Sequence, residues 1–590
     1  MGYLVATIKG DEFDNTLNGF ATNDELFGFE GNDTLDGGPG NDTMYGGDGN
    51  DIFIIRNDGA QNTILGEADT DELDFSIATA GWTIDADSGQ SGGSSILFSG
   101  IEVITASDFD DVVVADAGLS RVYGGAGNDT LSNTAGAASI YGGAGDDTIT
   151  GSGTSAQDLL FGGAENDTFV VDVAGGDYSN DFIFAGSGED RLLIQGTADG
   201  QVFDLSGIEI TSIEEVEFAA IGANRNITVI LDPNEFTITG AEFANDLLID
   251  GNNVVGSTDI VRVDLNQSFT ETVLDFSGWQ FTGWGAQNDY VEIIGSGRDE
   301  TITGTSQSDS INGGAGNDTI SDVGGGLDVT LLGGTGNDEL DLSGSAFGWD
   351  IDFTAAGTNA SSDTATGRVA EFETLTTSDF DDVVVADAGL SRVYGGAGND
   401  TLSNTAGAAS IYGGAGDDTI TGSGTSAQDL LFGGAENDTF VVDVAGGDYS
   451  NDFIFAGSGE DRLLIQGTAD GQVFDLSGIE ITSIEEVEFA AIGANRNITV
   501  ILDPNEFTIT GAEFANDLLI DGNNVVGSTD IVRVDLNQSF TETVLDFSGW
   551  QFTGWGAQND YVEIIGSGRD ETITGTSQSD SINGGAGNDT

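Results

Sequence analysis

Gly19 to Ile54 reads GFATNDELF, GFEGNDTLD, GGPGNDTMY, GGDGNDIFI. Each block is nine residues long and opens on glycine, at Gly19, Gly28, Gly37 and Gly46. The sixth position is always aspartate (Asp24, Asp33, Asp42, Asp51) and the eighth is apolar (Leu26, Leu35, Met44, Phe53). The preceding block, GDEFDNTLN from Gly10, keeps the phase with Asn15 and Leu17. Glycine readily takes the positive-φ backbone of a very tight turn. Six residues of turn and three of strand, with one inward apolar side chain per strand, build a flattened parallel solenoid. Two blocks make one turn, and turns stack at ordinary strand spacing. Aspartates 18 residues apart then face each other across a turn, beside carbonyls of the glycine-rich backbone. Hard oxygen ligands in a flexible arrangement suit Ca²⁺ better than Mg²⁺.

The blocks match the pattern GGxGxDxUx, and on these residues the sequence resembles the RTX (repeats-in-toxin) family of hemolysin-type calcium-binding nonapeptide repeats. The resemblance implies a calcium-bound parallel β-roll, type I secretion and calcium-dependent folding outside the cell. It does not imply a toxin. Carried onto the matching positions, it makes Asp24, Asp33, Asp42, Asp51, Asp111, Asp129, Asp147, Asp167, Asp309, Asp318, Asp338, Asp382, Asp400, Asp418, Asp438, Asp580 and Asp589 the metal candidates. The turn glycines are Gly28, Gly31, Gly37, Gly40, Gly46, Gly49, Gly124, Gly127, Gly142, Gly145, Gly313, Gly316, Gly333, Gly336, Gly395, Gly398, Gly413 and Gly416. Off-pattern carboxylates such as Asp14, Asp110 and Glu300 read equally well as a solvated face.

Composition narrows the function further. The chain has 590 residues, 102 acidic against 13 basic, and a formal charge of −89. Such a surface repels nucleic acid and anionic membrane. Self-repulsion opposes compaction unless cations neutralise it. Cysteine is absent, so disulfides and thiolate zinc sites are excluded. No apolar run reaches the roughly 20 residues of a membrane helix, and MGYLVATIKGDEF is not a Sec signal peptide. Histidine is absent too, which removes His-based triads and the HExxH zinc site. With acids everywhere, proximity of two carboxylates does not mark a glycosidase. The expectation is a non-enzyme.

Residues 107–319 recur without a change as 378–590. A weaker pair, each running from DELD (Asp71, Asp338) through a Gly-Trp pair to SDFDD, frames a unit of about 270 residues. The chain stops at Thr590, before the apolar residue of its last block, so it is expected to be a fragment of a longer array. The expected divisions are an N-terminal RTX block at 1–60, irregular β-solenoid rungs at 61–105, and an RTX block at 106–170. Irregular β-rich rungs follow at 171–294, then an RTX block at 295–341, irregular rungs at 342–376, and an RTX block at 377–441. The copy of the β-rich rungs spans 442–565, and a truncated RTX block closes the chain at 566–590.

In the block at 106–170 the sixth positions alternate Asp111, Ser120, Asp129, Ala138, Asp147, which predicts calcium on one edge only. Residues 171–294 lose the nonapeptide and read as wider, metal-free rungs, with an inserted β-sandwich as the alternative. Ile213–Ile221 (IEEVEFAAI) is the one helix candidate. Trp279 and Trp284, copied at Trp550 and Trp555, could stack on a sugar, but core packing is the preferred reading. Alanine rather than threonine at the third block position disfavours an ice-binding face.

The fold expected is all-β: an elongated parallel β-roll with calcium-binding turns and wider metal-free rungs. Stacking about 4.8 Å per turn bounds its length near 150 Å. The function expected is that of a secreted calcium-binding repeat protein with a structural or adhesive role at a cell surface or in extracellular matrix. Partners expected are several Ca²⁺ ions, with a surface glycan or self-assembly as possible additions. The alternatives are a carbohydrate-binding module and the non-catalytic tail of a larger secreted hydrolase.

Overall fold

The structure is a computed structural model. It describes residues 5–590 apart from 87, 93–95, 173–174, 197, 199, 206, 221–225, 232–235, 238–246, 252–257, 266–271, 285–288, 322–327, 363–365, 444–445, 468, 492–497, 503–506, 509–517, 523–528, 537–543 and 556–559. Among the described residues all regular structure is β. The chain forms two units, residues 1–271 with 275–296, and residues 272–274 with 297–590.

The nine-residue period sets the strands of the first unit. Glu25–Glu30 pairs in parallel with Thr7–Lys9 on one side and Thr43–Asp48 on the other, with Leu26 opposite Met44. The intervening strands Thr16–Asn18, Thr34–Asp36 and Ile52–Ile54 form a second parallel stack, with Leu35 opposite Phe53. Alternate blocks therefore belong to alternate sheets, as the period requires. Leu26, Leu35, Met44 and Phe53 are wholly buried between them. Strand residues alternate buried and half-exposed, the pattern of a sheet with one face on a core.

Both stacks run on through the block at 106–170, where Val112–Ala115, Thr130–Asn133, Thr148–Thr150 and Thr168–Val171 continue one sheet. Arg121–Ala126, Ser139–Ala144, Leu159–Ala164 and Phe182–Ser187 continue the other. The second unit repeats these registers, with Val383 opposite Thr401 and Thr401 opposite Thr419.

Two details differ from the expectation of parallel rungs alone. Thr83–Asp85, Gln90–Gly92 and Ile96–Ser99 form an antiparallel meander inserted into one stack, parallel to the roll only through its outer strands. Trp349–Asp352, Ala360–Ser362 and Thr366–Ala370 do the same in the second unit. An Asx turn starts the return there: the Thr354 amide and hydroxyl both donate to Asp352. The helix candidate is a strand over its described part. Glu215–Ala220 pairs in parallel with Arg191–Gly196, because its alternating Val216 and Phe218 fill the core while Glu215 and Glu217 point out.

Candidate metal centre

The block aspartates sit where the turn meets the core, and this burial dictates their chemistry. Asp33, Asp42, Asp51, Asp129, Asp147, Asp167, Asp318, Asp338, Asp400, Asp418 and Asp438 are at most 1% exposed. Each Oδ1 accepts a hydrogen bond from the backbone N–H of the equivalent residue one rung earlier. The Asp24 amide reaches Asp42 at 2.7 Å, Asp33 reaches Asp51 at 2.7 Å, and Asp111 reaches Asp129 at 2.8 Å. The ladder continues from Asp129 to Asp147, Asp167, Asp190 and finally Glu214. The fifth block position forms a second ladder of opposite sense on the exposed rim. There the later amide donates to the earlier side chain, as from Asn50 to Asn32 and from Asp146 to Asn128. The Asn-Asp pair of the repeat is thus two hydrogen-bond ladders side by side.

Oδ2 is different. In Asp33, Asp42, Asp51, Asp129, Asp147, Asp167, Asp318, Asp338, Asp400, Asp418 and Asp438 it is buried and has no hydrogen-bond partner. An orphaned buried acceptor costs about 1–3 kcal/mol, and more when charged. One or two such groups already represent a large share of the about 5–15 kcal/mol that stabilises a typical domain. Burial also pushes Asp129, Asp167, Asp318, Asp400 and Asp438 up to about 7, and Asp42, Asp51, Asp147 and Asp418 up to about 6. Asp33 and Asp338 are raised by the same cause.

The surroundings of Oδ2 explain the glycine at position one. A methyl group built on Gly124 would strike the Asp129 Oδ2 and stand 2.6 Å from the Gly142 carbonyl oxygen. One built on Gly142 would strike the Asp147 Oδ2 and stand 2.7 Å from the Gly162 carbonyl. An orphaned carboxylate oxygen and a glycine carbonyl oxygen therefore face one gap. That arrangement fits a hard cation. Among the described residues no three acidic side chains converge on one point. An ion here would be held by carboxylate oxygen together with glycine carbonyls, a donor set suited to Ca²⁺.

The other predicted aspartates are placed differently. Asp24, Asp111, Asp309 and Asp382 are buried, and both oxygens of each accept hydrogen bonds from protein donors. Asp580 accepts from the Thr576 amide and hydroxyl and is exposed, as is Asp589. The structure also adds residues that the sequence reading left out. Asp71, Asp181, Asp190 and Asp461 carry the same buried, unpartnered Oδ2. Their blocks were legible: Gly66–Asp74 (GEADTDELD) holds the phase, and AGSGEDRLL from Ala185 does so with alanine in place of the first glycine. The ladder thus enters the stretch expected to be metal-free. On the opposite edge, Ser120 and Ala138 supply no carboxylate, but Asp158 and Asp181 follow them, with Asp158 accepting from the Ala138 amide.

Trp279 is 2% exposed and packs edge-on against Phe276, and Trp284 packs against Phe218 and Phe281. Core packing accounts for Trp279, whereas Trp284 is half-buried.

Comparison with known families agrees with this geometry. The model of the RTX calcium-binding nonapeptide repeat matches residues 6–54, 98–169, 171–193, 294–321, 376–463 and 565–590, in overlapping segments. The chain belongs to the RTX family. The match at 171–193 covers the Asp181 and Asp190 turns, at the start of the stretch expected to be metal-free. No curated protein matches this RTX chain.

Proposed function

We propose that this RTX protein is a secreted structural repeat protein that calcium folds after export, with an adhesive or matrix role at the cell surface. The observation that supports this reading is the row of buried, unpartnered Oδ2 atoms facing glycine carbonyls. At the sub-micromolar Ca²⁺ of a cell interior, 102 acidic groups repel one another and the orphaned oxygens oppose folding. Extracellular modules bind Ca²⁺ at about 10⁻⁴–10⁻³ M, so millimolar calcium outside the cell completes the turns. Folding on the far side of the membrane then biases export outward. The roll's repetition suits a spacer.

Far-UV circular dichroism of the full chain during a Ca²⁺ titration, with Mg²⁺ as control, tests the switch. A cooperative, calcium-specific coil-to-β transition is expected. A chain fully β in EDTA would overturn it.

A further inference from the structure

The block carboxylates occupy two backbone settings, and one peptide plane separates them. Where Oδ2 is orphaned, Asp181 apart, the residue at block position two has positive φ: +109° at Gly125, +121° at Gly143 and +124° at Gly163. Phe29 at +84° and Glu67 at +81° take the same conformation without being glycine. In this setting the carbonyl of position one faces the gap of the rung before it, as the Gly142 carbonyl does at Asp129. At Asp24, Asp111, Asp309, Asp382 and Asp580 the second residue has no positive φ. Its N–H donates to Oδ2 instead: Phe20 at 2.6 Å, Ser107 at 2.8 Å, Thr305 at 2.7 Å, Ser378 at 3.0 Å and Thr576 at 2.9 Å. The carbonyl and amide hydrogen of one planar peptide point opposite ways, so half a rotation exchanges them.

Hydroxyl groups complete the closed setting. Ser107 and Ser378 donate to Oδ2 of Asp111 and Asp382, both at 2.8 Å, and Thr305 donates to Oδ1 of Asp309 at 2.8 Å. At the Asp382 turn the Thr377 hydroxyl also takes the Gly395 carbonyl, at 2.6 Å. That carbonyl is the counterpart of those that face orphaned oxygens elsewhere. The Asp111 block even opens on Ala106, whose Cβ the closed turn accommodates. Asp158 reaches the same end by another route: Asn133 and Ala138 donate to its Oδ1 and the Ser152 amide to its Oδ2.

We propose that the peptide plane between block positions one and two selects which turns take calcium. Closed turns at Asp24, Asp111, Asp158 and Asp309, with their copies at Asp382, Asp429 and Asp580, are metal-independent staples. Amide and hydroxyl hydrogens there occupy the place a cation fills in the open turns. Asp111 and Asp158 head their ladders, so each presents a finished rung to the calcium-dependent rungs that follow. In a solenoid, order propagates from any formed rung to its neighbour. This inference rests on calcium binding in the open turns.

The test is bound calcium per full-length chain, measured by mass spectrometry of the metal after equilibrium dialysis at saturating Ca²⁺. Asp129→Asn, in an open turn, is expected to lower the number of bound ions. Asp111→Asn should leave that number unchanged while lowering the thermal midpoint. Ala106→Gly with Ser107→Gly should open the turn and add one ion. Loss of an ion in Asp111→Asn, or no gain in the double variant, overturns the proposal. A wild-type chain that binds no calcium overturns the underlying calcium reading instead. Amide exchange of the unaltered chain in EGTA is independent of whether any variant folds: residues 106–111 and 304–309 should be protected relative to 124–129. Equal exchange would also overturn the proposal.

Discussion

Gly124 and Asp129 show what a single residue does in this protein. The glycine is required by space, because its Cβ would collide with the buried carboxylate and the next rung's carbonyl. Gly124→Ala should therefore lower the calcium content and destabilise the roll by about 1–3 kcal/mol, the cost of disturbing one buried polar contact. Calcium counting with thermal melts checks this, and an alanine variant with unaltered binding would refute it. The carboxylates also carry a pH signature. Burial raises Asp129 and Asp167 to about 7 and Asp42 and Asp51 to about 6 in the metal-free turns. Unfolded aspartate titrates near about 3.9. The folded state therefore binds more protons across that interval, and metal-free stability is present at low pH and falls as pH rises through 6–7. In EDTA, the residual β signal in far-UV circular dichroism should be larger at pH 5 than at pH 8. Calcium must displace the same protons, so its affinity should weaken as pH drops below 7.

At the scale of the element, each strand contributes an inward apolar residue and an outward neighbour, and the outward positions have their own order. Tyr123, Tyr141, Phe161 and Phe184 stack on successive rungs with ring centroids 4.9, 4.6 and 5.0 Å apart. The copies at Tyr394, Tyr412, Phe432 and Phe455 repeat the spacing. Parallel strands in register place identical positions one strand spacing apart, which is the stacking distance of aromatic rings. Tyr141→Ala should cost about 1–2 kcal/mol by losing two ring contacts and some buried area. Calcium content should not change, since the ring faces away from the turns. A fall in bound calcium would show that ladder and turn are coupled. The strands themselves were legible, because the period places Leu35 and Phe53 in one register. The antiparallel meanders were not, because alternation such as Ile84-Asp85 is the same for either strand direction.

For the whole molecule, the exact repetition makes a sharp comparison possible. Residues 107–319 and 378–590 share one sequence, so their peptides share one mass. Val112 opposite Thr130 and Val383 opposite Thr401 keep one register, and most of each copy has the same burial. Hydrogen exchange in calcium should give a single isotope envelope for peptides from 112–150 and its copy. Two envelopes there would mean that the copies fold differently.

The sequence by itself determined the roll. A nine-residue period with glycine, aspartate and an apolar residue in fixed phase has one economical packing, because turn conformation, core filling and stacking register repeat together. It also determined the type of metal site, since the turn glycines and the sixth-position acids share that phase. Tertiary structure decided which aspartates are open and which are closed. Asp111 and Asp129 occupy the same block position, and the difference between them lies in Ser107 and Gly125, in a peptide plane's orientation and in hydrogen bonds between rungs. It likewise placed Asp181 and Asp190 in the ladder despite irregular spacing, because a stacked sheet aligns strands in space and loops out the extra residues between them.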